Sequence, residues 1–213
     1  FTPALLVSTT AADATPAWVS GTSYALGAKV TRTDPTRGLP RIWQSLIAAN
    51  TTEPSYANAT SWLDIGPTNK MAMFDSQIST KTTATGSLVV ELAPVDAVSS
   101  LAMLNLTGTS VRVEMIANGA TVYDTTKSLV ATWIADWWDY YFAKDDQLTQ
   151  AIFNDLPMFY SPRLRITVTG VPGTTVAVGH CVFGGRQELG MLGMGAQSGI
   201  IDYSRKDTDE FGE

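Results

Sequence analysis

The chain has 213 residues, a formal net charge of −6, 45% hydrophobic and 16% charged residues, and one cysteine. This composition predicts a folded protein with a sizeable core, in one large domain or two modest ones. The negative charge and the scattered basic residues argue against a nucleic-acid partner. Cys181 has no second cysteine to pair with, and no stretch approaches the roughly 20 apolar residues of a membrane span.

The first part of the chain predicts an extended arm followed by a small β unit. Residues 1–16 are rich in Thr, Ala and Pro and carry one charge, Asp13, which favours an N-terminal arm. Residues 17–68 contain many turn formers and three short strand candidates, at 28–33, 42–48 and 61–65. A core is marginal at this size, so large aromatic side chains would help to fill it.

Residues 69–190 predict an antiparallel β-sandwich, jelly-roll-like in character. The strand candidates lie at 87–92, 101–108, 110–115, 120–125, 163–170 and 174–185. The dipeptide Asn118-Gly119 between two apolar runs predicts a hairpin, because both central residues of such a turn adopt positive φ.

One helix and a C-terminal arm complete the predicted organisation. In residues 145–156 the apolar side chains Leu148, Ile152 and Leu156 recur every four positions, which predicts a helix. Asp145 is its candidate N-cap, and Pro157 ends it. The final segment, 191–213, is first glycine-rich and then highly charged, which predicts an arm with little core of its own.

The residues that perform catalysis or bind metals are sparse. The one histidine, His180, alternates with valines and is expected in a core or an interface, with Cys181 on the opposite face. A structural zinc site needs about four Cys or His ligands, more than this chain offers. The carboxylate groups around Asp145 and in 207–210 are expected to be solvated, although a glycosidase pair is the enzymatic alternative. We therefore expect no catalytic residues, no metal, no cofactor and no enzymatic activity.

Two groups of aromatic residues allow both a structural and a binding interpretation. Trp18, Tyr24, Trp43 and Trp62 either form the core of the small unit or offer flat faces to a sugar ring. The run at 136–142 is expected to divide between the sandwich core and a subunit interface, since strand alternation cannot bury five large rings on one side. The candidate interface residues are Trp137, Trp138, Tyr140, Tyr141, Tyr203 and Phe211.

A spaced series of aromatic and glycine residues runs through the small unit. It consists of Trp18, Gly21, Tyr24, Gly27 and Val30 at three-residue intervals, followed by Trp43, Asn50, Pro54 and Trp62. This series resembles the small carbohydrate-binding modules of the chitin-binding type, and it covers roughly residues 17–65. The resemblance implies glycan binding through Trp18, Tyr24, Trp43 and Trp62.

A second resemblance spans most of the chain. The segments "IGPTNKMAMFD" (65–75) and "GIIDYSRKDTDEFG" (199–212), with the sandwich between them, resemble a family of tailed-bacteriophage structural proteins of the tail, tail tip and fibres. The resemblance implies a virion component, made in the bacterial cytoplasm and assembled with other tail proteins and copies of itself. The alternative is a carbohydrate-binding protein whose main role is to recognise a host or a polysaccharide.

Overall fold

The computed structural model describes residues 5–34, 38–75, 77–131, 137–142 and 146–187. The protein is mainly β, with antiparallel sheets and one short α-helix among these residues, which confirms the predicted fold class. Its elements are β1 (Leu6–Thr9), β2 (Lys29–Thr33), β3 (Pro40–Ser45), β4 (Trp62–Pro67), β5 (Thr82–Thr85), β6 (Ser87–Leu92), β7 (Ser100–Leu104), β8 (Ser110–Ala117), β9 (Ala120–Ser128), β10 (Val130–Ala131), α1 (Trp137–Phe142), β11 (Asp146–Gln147), β12 (Gln150–Phe153), β13 (Arg163–Thr169), β14 (Thr175–Val178) and β15 (His180–Gly184).

The largest sheet has five strands in the order β1-β6-β13-β8-β9. Its central strand β13 alternates buried Leu164, Ile166 and Val168 with polar residues, as the sequence predicts for a strand with one wet face. Strands β8 and β9 form the predicted hairpin, in which Asn118 and Gly119 have φ of 52° and 79°. The turn residues therefore determine which strands are neighbours at this edge of the sheet.

The second layer of the sandwich is a three-stranded sheet in the order β12-β7-β15, accompanied by the β5–β14 pair. Leu101, Met103 and Phe153 point inward from the three-stranded sheet and are buried. They belong to one apolar cluster with the inward side chains of the five-stranded sheet. Burial of alternate residues on both sheets thus forms the main core.

The small β unit, residues 17–68, has its own sheet, with strand order β2-β3-β4. Val30, Trp43 and Trp62 form a second buried cluster, against which Trp18 and Tyr24 pack. The unit therefore has an aromatic core separate from that of the sandwich. The exact boundaries 1–16, 17–68, 69–190 and 191–213 stay a prediction, and residues 191–213 lie outside the described part of the chain.

Two segments differ from their sequence prediction. The predicted helix over 145–156 is wrong, because Gln150–Phe153 forms strand β12, paired with β7, and Asp145 lies outside the described residues. The helix instead spans Trp137–Phe142, within the aromatic run. In the predicted N-terminal arm, Leu6–Thr9 pairs with β6 as an edge strand, and Ala11 is buried in the main core. This part of the arm therefore belongs to the fold of its own chain.

Candidate functional site

Trp43 and Trp62 form the core of the small unit and present no face to solvent. Each is 1% exposed, and both lie on the inward face of neighbouring strands β3 and β4. The Trp62 indole Nε1 donates a hydrogen bond to the carbonyl oxygen of Thr52 at 2.9 Å. Of the two roles that the sequence left open, the structure therefore gives these two rings the core role, because each is enclosed by the unit that it stabilises.

Tyr24 also has a structural position, at the end of the same core. Its ring meets Trp62 edge to face, with centroids 5.7 Å apart. Its hydroxyl accepts a hydrogen bond of 2.8 Å from the Val19 backbone N–H, and its backbone pairs with that of fully buried Asn50. The hydroxyl and one ring edge of Tyr24 are thus occupied within the unit, and a sugar contact through its half-buried ring stays a prediction.

Trp18, like Tyr24, is half-buried and lies at the surface of the unit, whereas Trp43 and Trp62 are buried. The Trp18 backbone N–H donates to the carbonyl oxygen of Thr31 at 2.9 Å, which attaches the segment before β2 to that strand. The Arg32 guanidinium lies over the Trp18 ring, 5.4 Å from the centroid. A cation at this distance from an indole is attracted by the ring quadrupole, so the two side chains hold each other in place.

An open groove of about 540 Å³ runs beside Trp18. Its walls combine that indole with a carboxylate, a guanidinium and hydroxyl groups, and its lining residues include Asp13, Trp18, Thr31, Arg32, Thr33 and Thr68. Arg32 is held from the far side by Glu53 and by the carbonyl oxygen of Pro54. The groove therefore presents one apolar ring beside a carboxylate and a guanidinium that other groups of the chain already orient.

A second charged group supports the neighbouring part of the unit. The Arg41 Nε atom lies 2.7 Å from the Asp64 carboxylate, and the Tyr56 hydroxyl donates to the same carboxylate at 2.5 Å. The Tyr56 ring in turn meets buried Trp43 edge to face. This group is balanced in charge and lies outside the Trp18 groove, so it has a structural role.

Sequence reasoning missed Asp13 and Arg32 as groove residues. The Lys70 backbone N–H donates a hydrogen bond of 3.1 Å to the Asp13 carboxylate and so fixes it in place. Asp13 lies sixteen residues before β2, the first strand of the small unit. It reaches the groove because Ala17 and Thr31 form an isolated bridge that places the 13–18 segment along β2. No spacing in the sequence indicates that bridge.

The aromatic run at 136–142 lies at the surface as helix α1. Trp137, Trp138, Tyr141 and Phe142 are 63–74% exposed. They pair within the helix, with Trp137 stacked on Tyr141 and Trp138 tilted against Phe142. None of these four rings lies in the sandwich core, so the expected division between core and interface is not seen among them, and their place in an interface stays a prediction. The side chain of Tyr140, and Tyr203 and Phe211 as a whole, lie outside the described residues.

The part of the chain that the structure describes contains no cluster of metal-ligating side chains, and the expectation of no enzymatic activity stays a prediction. In those ranges no three His, Cys, Asp or Glu side chains are placed to hold a metal ion. Cys181 points into the core, and burial raises the pKa of its thiol to about 12, while half-buried His180 points the other way. Among the same residues no helix is long and apolar enough to cross a membrane.

Comparisons with known proteins give a distant structural likeness. No family model matches the chain, and no curated protein matches it. Two matching structures are chitosan-binding module 1 from a chitosanase/glucanase of Paenibacillus sp. IK-5 and a selenomethionine-labelled point mutant of the same module. The mutant structure has a TM-score of 0.35 and 11% identity, covering 54% of this chain and 82% of its own. The other has a TM-score of 0.33 and 15% identity, covering 55% and 84%.

These scores are too low to establish a shared fold. The ligand of this chain is therefore argued from its own residues. Neither structure bears on the resemblance to bacteriophage tail proteins, which stays a prediction.

Proposed function

We propose that this chain is a non-catalytic carbohydrate-binding protein and that the Trp18 groove is its sugar site. The observation that carries the proposal is the composition of the groove, in which one half-buried indole adjoins Asp13, Arg32 and threonine residues. A pyranose ring has an apolar C–H face and a rim of hydroxyl groups. The indole matches the first and the polar side chains match the second.

The net charge of the chain and the ion pair at Arg32 indicate which class of glycan the groove would bind. The chain carries a net charge of −6, and the Arg32 charge is paired with Glu53. A polyanionic glycan would meet long-range repulsion at low salt, whereas a neutral or cationic glycan would not. We therefore expect binding to chitin, chitosan or cellulose in preference to heparin or alginate.

The proposal is tested by sedimentation of the whole chain with insoluble chitin, chitosan and cellulose. Thr33→Arg is the main variant, because Thr33 is exposed on the groove wall and a long side chain there obstructs the groove without changing the aromatic core. Thr126→Arg is the matched control, because Thr126 is an exposed position of β9 in the five-stranded sheet, away from the groove. We expect Thr33→Arg to lose at least tenfold in affinity while Thr126→Arg binds like the unmodified chain.

Trp18→Ala provides the aromatic test, with Trp137→Ala as its control on an exposed ring of α1. Trp18 also packs against the core, so its variant is interpreted only if its melting temperature stays within a few degrees of the parent. Equal binding by parent and Thr33→Arg would contradict the groove. Loss of binding in Trp137→Ala alone would move the sugar site to α1.

A structural role in a bacteriophage tail is the second candidate function. It rests on the resemblance of residues 65–75 and 199–212 and on one structural observation, the four exposed rings of α1. Exposed apolar patches of this kind commonly mark protein partners. Negative-stain microscopy of the purified chain tests this role. Ordered rings or tubes would favour it, and uniform single copies at high concentration would contradict it.

A further inference from the structure

A second open groove, of about 590 Å³, lies between the N-terminal segment and the β5–β14 pair. The pairing of that segment with β6 ends at Thr10, whose N–H donates to the Val89 carbonyl oxygen at 3.0 Å. Ser87, two residues before Val89 on β6, is exposed and lines the groove. We call this the threonine groove. Its polar lining residues are Thr10, Asn69, Thr83, Thr85, Ser87 and Thr175.

The Asn69 side chain holds both walls of the threonine groove in place. Its Nδ2 atom donates to the carbonyl oxygens of Ala12 in the N-terminal segment and of Thr83 in β5, at 2.9 Å each. Its Oδ1 atom accepts a hydrogen bond from the Thr83 N–H, also at 2.9 Å. Asn69 thus pairs with the edge of β5 as a neighbouring strand would, and the two walls are positioned before any ligand binds.

The backbone of β5 adds a donor and an acceptor to the groove. The N–H and C=O of Thr83 bond Asn69 rather than the cross-strand neighbour Ala177, so this is a non-hydrogen-bonded pair of the ladder. The pair two residues along, Thr85 and Thr175, is therefore of the same kind. The N–H and C=O of Thr85 consequently point to the same side of β5 as those of Thr83, toward the groove.

The composition of the threonine groove indicates the chemistry of its ligand. None of its lining residues, all of which the structure describes, carries a charge, so the groove does not balance the charge of an ion. Two alanines are its only apolar lining residues, which leaves no pocket for an apolar side chain. Hydroxyl and amide groups each donate and accept hydrogen bonds, and the hydroxyl groups of a sugar do the same.

We propose that the threonine groove is a second carbohydrate site, which takes a neutral, hydroxyl-rich glycan through hydrogen bonds and without an aromatic ring. It adjoins the Trp18 groove, because Ala12 and Asn69 line one groove while their neighbours Asp13 and Thr68 line the other. One polysaccharide surface can therefore engage both sites of a chain and bind with avidity. The class of ligand rests on the proposed function, whereas the second site rests on its own residues.

NMR titration of the whole chain with a cellulose hexasaccharide and, separately, a chitin hexasaccharide tests the proposal. The backbone amide signals of Thr83 and Thr175 report on the threonine groove, and the indole N–H of Trp18 reports on the other. With at least one hexasaccharide, both sets are expected to shift to saturation in the parent. Thr85→Arg places a long side chain in the threonine groove from an exposed strand position. It is expected to remove the sugar-dependent shifts of Thr83 and Thr175 and to keep that of Trp18.

Sedimentation with insoluble cellulose and chitin measures the gain from having two sites. Thr85→Arg is expected to lower the affinity about tenfold, because two linked sites hold a polymer more tightly than one. Thr175→Arg obstructs the groove from the opposite strand, at another exposed position, and is expected to have the same effect. Thr126→Arg is the matched control and should bind like the parent.

The outcomes separate the two sites. Saturating shifts at Thr83 and Thr175 with none at Trp18 would support the threonine groove and contradict the Trp18 groove. A shift at Trp18 with none at Thr83 and Thr175 would overturn the threonine groove and leave the proposed function standing. Shifts at neither site would overturn both. Shifts of the groove amides that persist unchanged in Thr85→Arg and Thr175→Arg would also overturn the second site.

Discussion

Replacing Trp62 by Ala is expected to remove a large part of the stability of the small β unit. The ring is 1% exposed, meets Tyr24 edge to face, and donates a hydrogen bond of 2.9 Å to Thr52. A buried Trp→Ala change lowers the free energy of unfolding by about 3–5 kcal/mol, of which the ring pair and the hydrogen bond account for about 1 kcal/mol each. A unit of about 50 residues has roughly 3–8 kcal/mol in total. The change therefore removes between about two-fifths and all of it.

Urea denaturation at 25 °C, followed by the NMR signals of backbone amides in β2–β4 and in β13 separately, measures this effect where it arises. Trp137→Ala is the control, because its ring is exposed and its replacement should change stability by less than about 0.5 kcal/mol. If Trp62→Ala changes the stability of β2–β4 by less than about 1 kcal/mol and abolishes glycan binding, Trp62 is a binding face and the core assignment is wrong.

Three further predictions concern the sandwich. Gly119→Val should lower the free energy of unfolding by about 1–2 kcal/mol in thermal unfolding, because Gly119 has a φ of +79°, although no atom lies within 4 Å of the position that an added Cβ would take. Gly185→Val should have little effect, because an added Cβ there has equal space and Gly185 does not have such a positive φ. The hydrogen bond from Arg165 lowers the pKa of Glu91 in the folded protein. The stabilisation that this ion pair provides is therefore present above the pKa of Glu91 in the unfolded chain and is lost as the pH falls through its pKa in the folded protein. The amount by which Arg165→Met lowers the melting temperature should accordingly shrink from pH 6 to pH 3. Cys181, buried with a pKa of about 12, should resist alkylation at pH 8 until urea unfolds the sandwich.

The strands and hairpin of the sandwich could be predicted because their local signals agree with the fold. Alternation along 163–169 and the turn at Asn118-Gly119 suffice to identify β13 and the β8–β9 pair. The strand that replaces the predicted helix over 145–156 could not be predicted, because a spacing of four residues is also an even spacing and therefore fits the two-residue period of a strand. The core-facing residues of β12 are Ala151 and Phe153, and pairing with β7 outweighs the helical pattern.

The site could be predicted only in part. The aromatic series correctly locates a compact β unit, yet the sequence alone cannot distinguish Trp18 at the surface from Trp62 in the core. That difference arises from the pairing of β3 with β4, which turns Trp43 and Trp62 to the same inward side. The polar side of the groove depends on the contact between the 13–18 segment and β2, which no local pattern records.

The indole N–H signals of the tryptophans, assigned by single Trp→Phe variants and followed by NMR while a chitin oligosaccharide is added, test the central claim most directly. We predict that the Trp18 signal shifts progressively and to saturation, while those of Trp62 in the core and Trp137 on α1 stay in place. A titration that leaves the Trp18 signal unchanged, or that shifts the signals of α1 instead, would contradict a sugar site in the Trp18 groove.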